Sequence, residues 1–310
     1  MSKYYEAFLE AISEGSLERR TIIADGEEAI YQNGKLIAST SGGDISNPDL
    51  VEIIKAEPHL LLFGSGHVGK ALYDLGVLQN MKMTVLDDRE ELLTEERFPK
   101  AERFIAPFSE LLKKEYDVVT PAYIIFTHGH SFDTDCLRYA LSHPSSYIGM
   151  IGSKAKSAKA LAEMREEGFS EEALRNVHTP IGLPIGAETP EEIAISIMAE
   201  IISVFRSGEH FSTIDPKLLK TMATNEGIAV RIIEKKGSAP RAIGSTMFVT
   251  ENEAVGTIGG GAIEKEAIEE AKKMLKTEIT HQTKHYNLSS SGDIGMVCGG
   301  NETLLFTLVK

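Results

Sequence analysis

The chain is short of cysteine, with two in 310 residues, Cys136 and Cys298, far apart and without Cys-x-x-Cys spacing. That excludes a disulfide framework and a cysteine-built zinc site, and leaves at most one thiol for chemistry. Cations are scarce as well. With 32 basic against 46 acidic side chains the formal charge is −14, and so negative a surface repels phosphate backbones and anionic headgroups. No nucleic acid and no membrane surface is therefore expected as a partner. No apolar run approaches the roughly 18 residues a membrane span needs, and Met1-Ser-Lys-Tyr-Tyr-Glu6 lacks the basic-then-apolar order of a signal peptide. A cytoplasmic location is expected. Low complexity is missing too, since 42% of residues are hydrophobic and 25% charged, which at this length predicts about two globular domains.

What is present is an alternation of short β-type runs and helical stretches. Runs at 59–63, 83–87, 103–106, 123–126 and 147–151 read as strands, with helical patterns at 68–78, 109–114, 133–141 and 153–167. Strands alternating with helices predict right-handed βαβ units around a parallel sheet, the α/β Rossmann-like class. Thr189-Pro190-Glu191-Glu192 opens a buried helix through Phe205 with a cap, a first-turn proline and acids at the positive end. Residues 206–216 have the composition of a linker. Beyond them a helix (216–225), strands (228–234, 245–249, 254–258), a helix (262–276) and a last strand (302–308) predict an α+β domain. The expected organisation is an N-terminal segment over 1–55, a Rossmann-like domain over 56–208 and an α+β domain over 215–310. The segment Phe8 to Ile23 is similar to Leu218 to Ile233, and each leads through two strands to a glycine cluster. The N-terminal segment thus reads as a degenerate half-copy that packs on the C-terminal domain and completes its sheet.

Several motifs carry chemistry. Gly64-Ser-Gly66-His67-Val-Gly69 follows a strand and opens a helix, and Asp87 ends the next strand. Such glycines serve a tight turn, backbone approach to a pyrophosphate and helix–sheet packing, while the acid accepts from a ribose hydroxyl. Thr127-His128-Gly-His130-Ser-Phe-Asp133 follows the fourth strand, where such folds place ligands. It reads as a substrate-facing loop, with a metal site at His128, His130 and Asp133 as the weaker alternative. Ser153 caps a helix whose first turn carries Lys154 and Lys156, a second candidate phosphate contact. In the last domain Gly237-Ser238-Ala-Pro-Arg241 offers a guanidinium fork on a rigid loop, and Gly259-Gly260-Gly261 can aim successive amides at an anion. Glu264 follows as either a cofactor contact or an ordinary first-turn acid. Cys298 stands among glycines that leave its sulfur approachable, whereas Cys136 lies in a helical pattern and reads as a buried hydrophobe.

On these motifs, together with Ile148-Gly-Met-Ile-Gly-Ser153, Pro180-Ile-Gly-Leu-Pro-Ile-Gly186 and Cys298-Gly-Gly300, residues 58–310 resemble the XdhC/CoxI family, accessory proteins that mature molybdenum hydroxylases such as xanthine dehydrogenase. The resemblance implies a cofactor-binding chaperone more than a turnover enzyme. Its implied ligand is the molybdenum-pterin cofactor, in mononucleotide or dinucleotide form, held during sulfuration and passed to an apo-molybdenum hydroxylase. A cysteine desulfurase and a second copy of the chain are further candidate partners. Cys298 would ligate the metal, a soft-ligand match, and Arg241 with the Gly259–Gly261 amides would take the phosphate. The domain order departs from the family's usual one, because the Gly-Ser-Ala-Pro-Arg half follows the Rossmann half here. The alternative reading is an NAD(P)-dependent oxidoreductase using Asp87, His67 and His128.

Overall fold

The computed structural model describes residues 2–130, 132–207, 211–237, 241–287 and 300–310, the side chains of His130 and Phe211 excepted. Two compact units result, one built from residues 57–207 and the other from 1–56 together with 208–310.

The chain opens with α1 (Lys3–Glu14), then β1 (Leu17–Ile22), β2 (Glu27–Gln32), β3 (Lys35–Ser39) and β4 (Leu50–Ile54). The Rossmann unit follows as β5 (His59–Phe63), α2 (His67–Leu78), β6 (Met83–Asp87), β7 (Glu102–Ile105), α3 (Phe108–Leu111), β8 (Pro121–Ile125), α4 (Asp133–Leu141), β9 (Tyr147–Met150), α5 (Lys154–Glu166), α6 (Glu171–Arg175), β10 (Val177–His178) and α7 (Pro190–Phe205). Its six strands are all parallel in the order β10-β9-β8-β5-β6-β7. The order reverses between β5 and β8, and in such sheets ligands bind at that switch point, beyond the carboxyl ends of the strands. Period-two alternation feeds both faces. Leu60, Leu62 and Val85 pack beneath α2 and α7, while Leu61, Phe63 and Ile125 pack beneath α4 and α5, so the strands read as continuous apolar runs. Helix α7 starts on a full capping box between Thr189 and Glu192.

The other unit continues with β11 (Phe211–Ser212), α8 (Pro216–Thr224), β12 (Gly227–Lys236), β13 (Thr246–Val249), β14 (Ala254–Gly256), α9 (Gly261–Met274), β15 (His281–Asn287) and β16 (Asn301–Val309). It holds two sheets, β11-β4-β1-β2-β3 and β14-β13-β12-β16-β15. The N-terminal strands therefore do not complete the C-terminal sheet as expected. They form a sheet of their own, finished by β11, a parallel partner of β4 that lies inside the stretch read as linker. Phe8 and Ile12 of α1 share a core with Leu218, Leu219 and Met222 of α8 and with Phe248 of β13.

Between the sheets lies a buried ionic cluster. Arg19 forks onto Glu52 with bonds of 3.0 and 3.1 Å, and Arg231 of β12 reaches Glu52 at 3.0 Å, Glu28 at 3.0 Å and Thr21 at 2.8 Å. Tyr4 adds a bond to Glu28 at 3.3 Å. All four charged residues are at most 5% exposed. Two cations meet two anions, so the desolvation cost of each is offset by partners that only this arrangement supplies.

Candidate functional site

The glycine loop after β5 divides its duties by steric need. Gly64 has φ +126°, and a Cβ there would meet the Phe126 carbonyl oxygen at 2.5 Å. Gly69 would place a Cβ 2.6 Å from the Gly64 carbonyl oxygen, so its bareness lets α2 lie close on the strand. Gly66, the N-cap of α2, has nothing within 4 Å of its missing Cβ and opens onto space. These are the turn, the packing contact and the approach side of a phosphate-binding turn.

That open side is a cavity of about 500 Å³ at the switch point. The turn after β5 contributes Gly66, His67 and Gly69, the loop after β8 contributes Thr127 to Gly129, and Pro190 closes one wall. Arg89 and Arg97 line it from the segment after β6. No Asp or Glu is among the lining residues, in a chain with 46 acids. With two guanidinium groups and the positive end of α2, the cavity favours an anion.

Asp87 does not offer the ribose contact that its position predicts. Its carboxylate is 1% exposed and accepts from five donors. Oδ1 takes the Arg89 amide at 3.0 Å and Arg89 Nε at 2.8 Å, while Oδ2 takes the Ser65 amide at 2.6 Å, the Ser65 hydroxyl at 2.7 Å and Arg89 Nη2 at 2.7 Å. Burial pushes its pKa up, but the Arg89 and Ser65 hydrogen bonds outweigh that and hold it at about 2. Such a carboxylate has no lone pair left for a sugar; it fastens the glycine loop and aims Arg89. Arg97 is tied to the same loop, its guanidinium donating to the carbonyls of Leu92 and Ser65. Arg89 and Arg97 were the residues that sequence reasoning missed, although Arg89 stands two places after the acid that ends β6.

The loop after β8 contributes His128, whereas Asp133 is not among the residues that line the cavity. Its Oδ1 accepts the Thr127 amide at 3.0 Å and the Thr127 hydroxyl at 2.6 Å, which pins the loop to α4. The His130 side chain lies outside the described residues. Ser153 accepts the Lys156 amide at 3.3 Å as the cap of α5, and neither it nor the exposed Lys154 lines the cavity.

In the second unit the glycine cluster is closed on itself. Gly259, Gly260 and Gly261 all have positive φ, at +131°, +76° and +68°, but the amides of Gly259 and Gly260 are not presented to an outside anion as expected. Glu264 Oε2 accepts the Gly260 amide at 3.0 Å, the Ile258 amide at 3.2 Å and the Thr257 hydroxyl at 2.5 Å. The Gly259 amide goes to Thr257 at 3.1 Å. Glu264 is thus the loop's own anion. Arg241 is exposed, and Ser238 and Cys298 lie outside the described residues. Cys136 is fully buried, and burial raises its thiol pKa well above the ordinary value.

A polar cavity of about 320 Å³ sits where β12 and β15 end and β16 begins, lined among others by Glu234, Lys236, His285 and Thr303. The Thr303 hydroxyl donates to Glu234 at 3.0 Å and lies 2.8 Å from His285 Nδ1. Because the hydroxyl gives its one proton to Glu234, Nδ1 is the donor in the second bond. Glu302, next to Thr303 in β16, does not line the cavity; it is 1% exposed, burial raises its pKa, and neither of its carboxylate oxygens has a partner among the described residues. The polar strand β15 gave no apolar periodicity from which to read this site.

Comparison with known proteins agrees with this anatomy. The model of the XdhC Rossmann domain matches residues 60–201, and that of the XdhC and CoxI family matches residues 222–287. The uncharacterized protein YqeB of Escherichia coli is 31% identical over 65% of this chain and 36% of its own length. A probable xanthine dehydrogenase subunit of Bacillus subtilis is 32% identical over 49% of this chain and 44% of its own. The chain thus spans less than half the length of these curated relatives. A crystal structure described as a xanthine dehydrogenase from Bacillus halodurans shares the fold at a TM-score of 0.50, with 24% identity over 65% of this chain and 62% of that one. With the Rossmann match on the unit that holds the glycine-loop cavity and the second match on the unit that holds the triple glycine, the chain belongs to the XdhC and CoxI family.

Proposed function

We propose that the protein is an accessory factor that binds the molybdenum-pterin cofactor, supports its sulfuration and delivers it to an apo-molybdenum hydroxylase such as xanthine dehydrogenase. The observation that carries the reading is the pairing in one chain of both family domains, the Rossmann one with an open, acid-free cavity. The fit to the cofactor rests on two features of the second unit. Glu302 is a buried carboxylate without a protein donor among the described residues, and a pterin ring edge presents N–H groups that such a carboxylate would accept. Arg241 is exposed, has no partner among the described residues, and would meet a phosphate through its fork. The Gly259 and Gly260 amides leave the ligand set, because Thr257 and Glu264 hold them, while the Gly261 amide stays in it. When bound, the cofactor supplies a soft molybdenum centre, for which Cys298 is the thiolate ligand in this reading.

The test is what copurifies. Protein expressed with a molybdenum supply should carry a pterin recoverable by acid extraction and oxidation to a fluorescent product. Cys298→Ser should keep the fold and lose most of that pterin. Full retention in the variant would remove the thiol from the mechanism, and pterin absent from both would remove cofactor binding.

The alternative oxidoreductase reading keeps His67 and His128 at the cavity but not Asp87, which lies behind Arg89. Nicotinamide turnover by the purified chain, unchanged by Cys298→Ala, would establish it.

A further inference from the structure

We propose that the Rossmann cavity selects a dinucleotide whose ribose carries a phosphate monoester, a 2′-phosphorylated dinucleotide of the NADP type, over one with a free ribose diol. The inference goes beyond the proposed function, which places the pterin on the second unit, and rests on three observations.

The first is that the ribose acceptor is used up. The acid ending the second strand of a dinucleotide fold reads the ribose diol by accepting its hydroxyls. Here both oxygens of Asp87 are saturated by Ser65 and Arg89, and the group is buried. A ligand that brings two hydroxyl donors to this edge finds no free oxygen on Asp87, so the diol loses the acceptor that such a fold usually gives it.

The second is what stands in that acceptor's place. Arg89 is held by a bidentate grip on Asp87, with Nε and Nη2 committed and the side chain 21% exposed. Nη1 has no partner among the described residues and belongs to a residue that lines the cavity. A guanidinium fixed in this way loses little freedom on meeting an anion. Arg97 lines the same wall and is oriented by the Ser65 and Leu92 carbonyls. In a fold of this class an arginine here accommodates a ribose 2′-phosphate.

The third is the charge of the walls. No carboxylate lines the cavity. Asp88 is close to Arg89, at 4.0 Å from its Nε, but its side chain is 38% exposed and it is not among the lining residues. A ribose phosphate dianion meets two cations there, while the α2 N-terminus is left to the pyrophosphate.

The selection also separates two ligands. A pterin dinucleotide ends in a ribose with free hydroxyls, so the crevice discriminates against it, and the pterin belongs to the second unit in the proposed function.

The experiment is a pair of equilibrium titrations of the full chain at fixed ionic strength, with NADP⁺ and with NAD⁺. We expect NADP⁺ to bind about tenfold tighter or more, as one or two charge-assisted hydrogen bonds allow, and Arg89→Lys to collapse that ratio toward one, because it removes the guanidinium fork and frees an Asp87 oxygen for the ribose diol of NAD⁺. Arg97→Gln, a second variant that leaves the Asp87 pair intact, should lower the ratio as well. Because the readout is a ratio within one protein, loss of fold, which weakens both ligands alike, does not mimic it. Equal affinities in the parent chain, or a ratio untouched in both variants, would overturn the inference. Binding of neither nucleotide by a chain that still carries a pterin would overturn it while leaving the chaperone reading standing. Selective binding of NADP⁺ by a chain that retains no pterin would do the reverse.

Discussion

Asp87 carries five hydrogen bonds on one buried carboxylate, and its titration follows from them. Its folded pKa, about 2, lies below the ordinary 3.8. The stability it contributes is therefore complete above about pH 4 and is lost as pH falls through the folded value, an effect on the order of 2 kcal/mol. Asp87→Asn should lower the denaturant midpoint at pH 6, and the gap to the parent should close as pH approaches 2. A gap independent of pH would show that the carboxylate is not ionised in the fold. Glu264 gives a second test at this scale. Three donors of the glycine cluster and its flank converge on Oε2, so Glu264→Ala leaves them unpaired and should cost about 1–3 kcal/mol in thermal denaturation. A neutral outcome would return those amides to the list of anion ligands. At both residues the sequence position was informative and the partner was not. A carboxylate at the end of a strand, or early in a helix, is visible in the chain, whereas its choice between a ligand and a nearby backbone amide depends on rotamer and loop geometry.

At the level of elements, the strand–turn–helix of the dinucleotide fold was legible because its glycines answer to sterics. Gly64 and Gly69 each face an atom closer than any Cβ tolerates, while Gly66 faces none. The prediction separates them. Gly69→Ala should destabilise the Rossmann unit by overpacking, typically about 1–3 kcal/mol. Gly66→Val, at an extended φ of −66°, should leave the melting temperature nearly unchanged and abolish nucleotide binding. Equal thermal loss in both would mean that Gly66 serves only the turn. Strand β15 shows what periodicity could not reveal. Over His281–Asn287 only Tyr286 is buried, so no apolar alternation announces an edge strand that is held by its ladder to β16. Strand β11 escaped for the related reason that two residues pair by backbone alone.

For the molecule as a whole, the sequence similarity between the ends of the chain pointed to a shared unit, but not to its two separate sheets or to the charges between them. Arg231 lies in the C-terminal half, and its anions, Glu28 and Glu52, lie in the first 56 residues. Removing one partner strands a buried charge, so Glu52→Ala should cost about 3–5 kcal/mol. A 208–310 fragment should likewise lack fixed tertiary structure, with its near-UV signal restored by residues 1–56 added in trans. A fragment that folds alone would contradict this role for the cluster. Among the described residues no helix is long and apolar enough to cross a membrane.

The most direct test of the central claim is a transfer measurement. The purified chain, loaded by co-expression with the pterin pathway and molybdenum, is mixed with an apo-molybdenum hydroxylase, and the pterin on each protein is quantified after separation. The account predicts pterin leaving this chain and appearing, in matching amount, on the hydroxylase, with little transferred from Cys298→Ser. Pterin that stays on this chain, or a hydroxylase loaded equally well without it, would contradict the account.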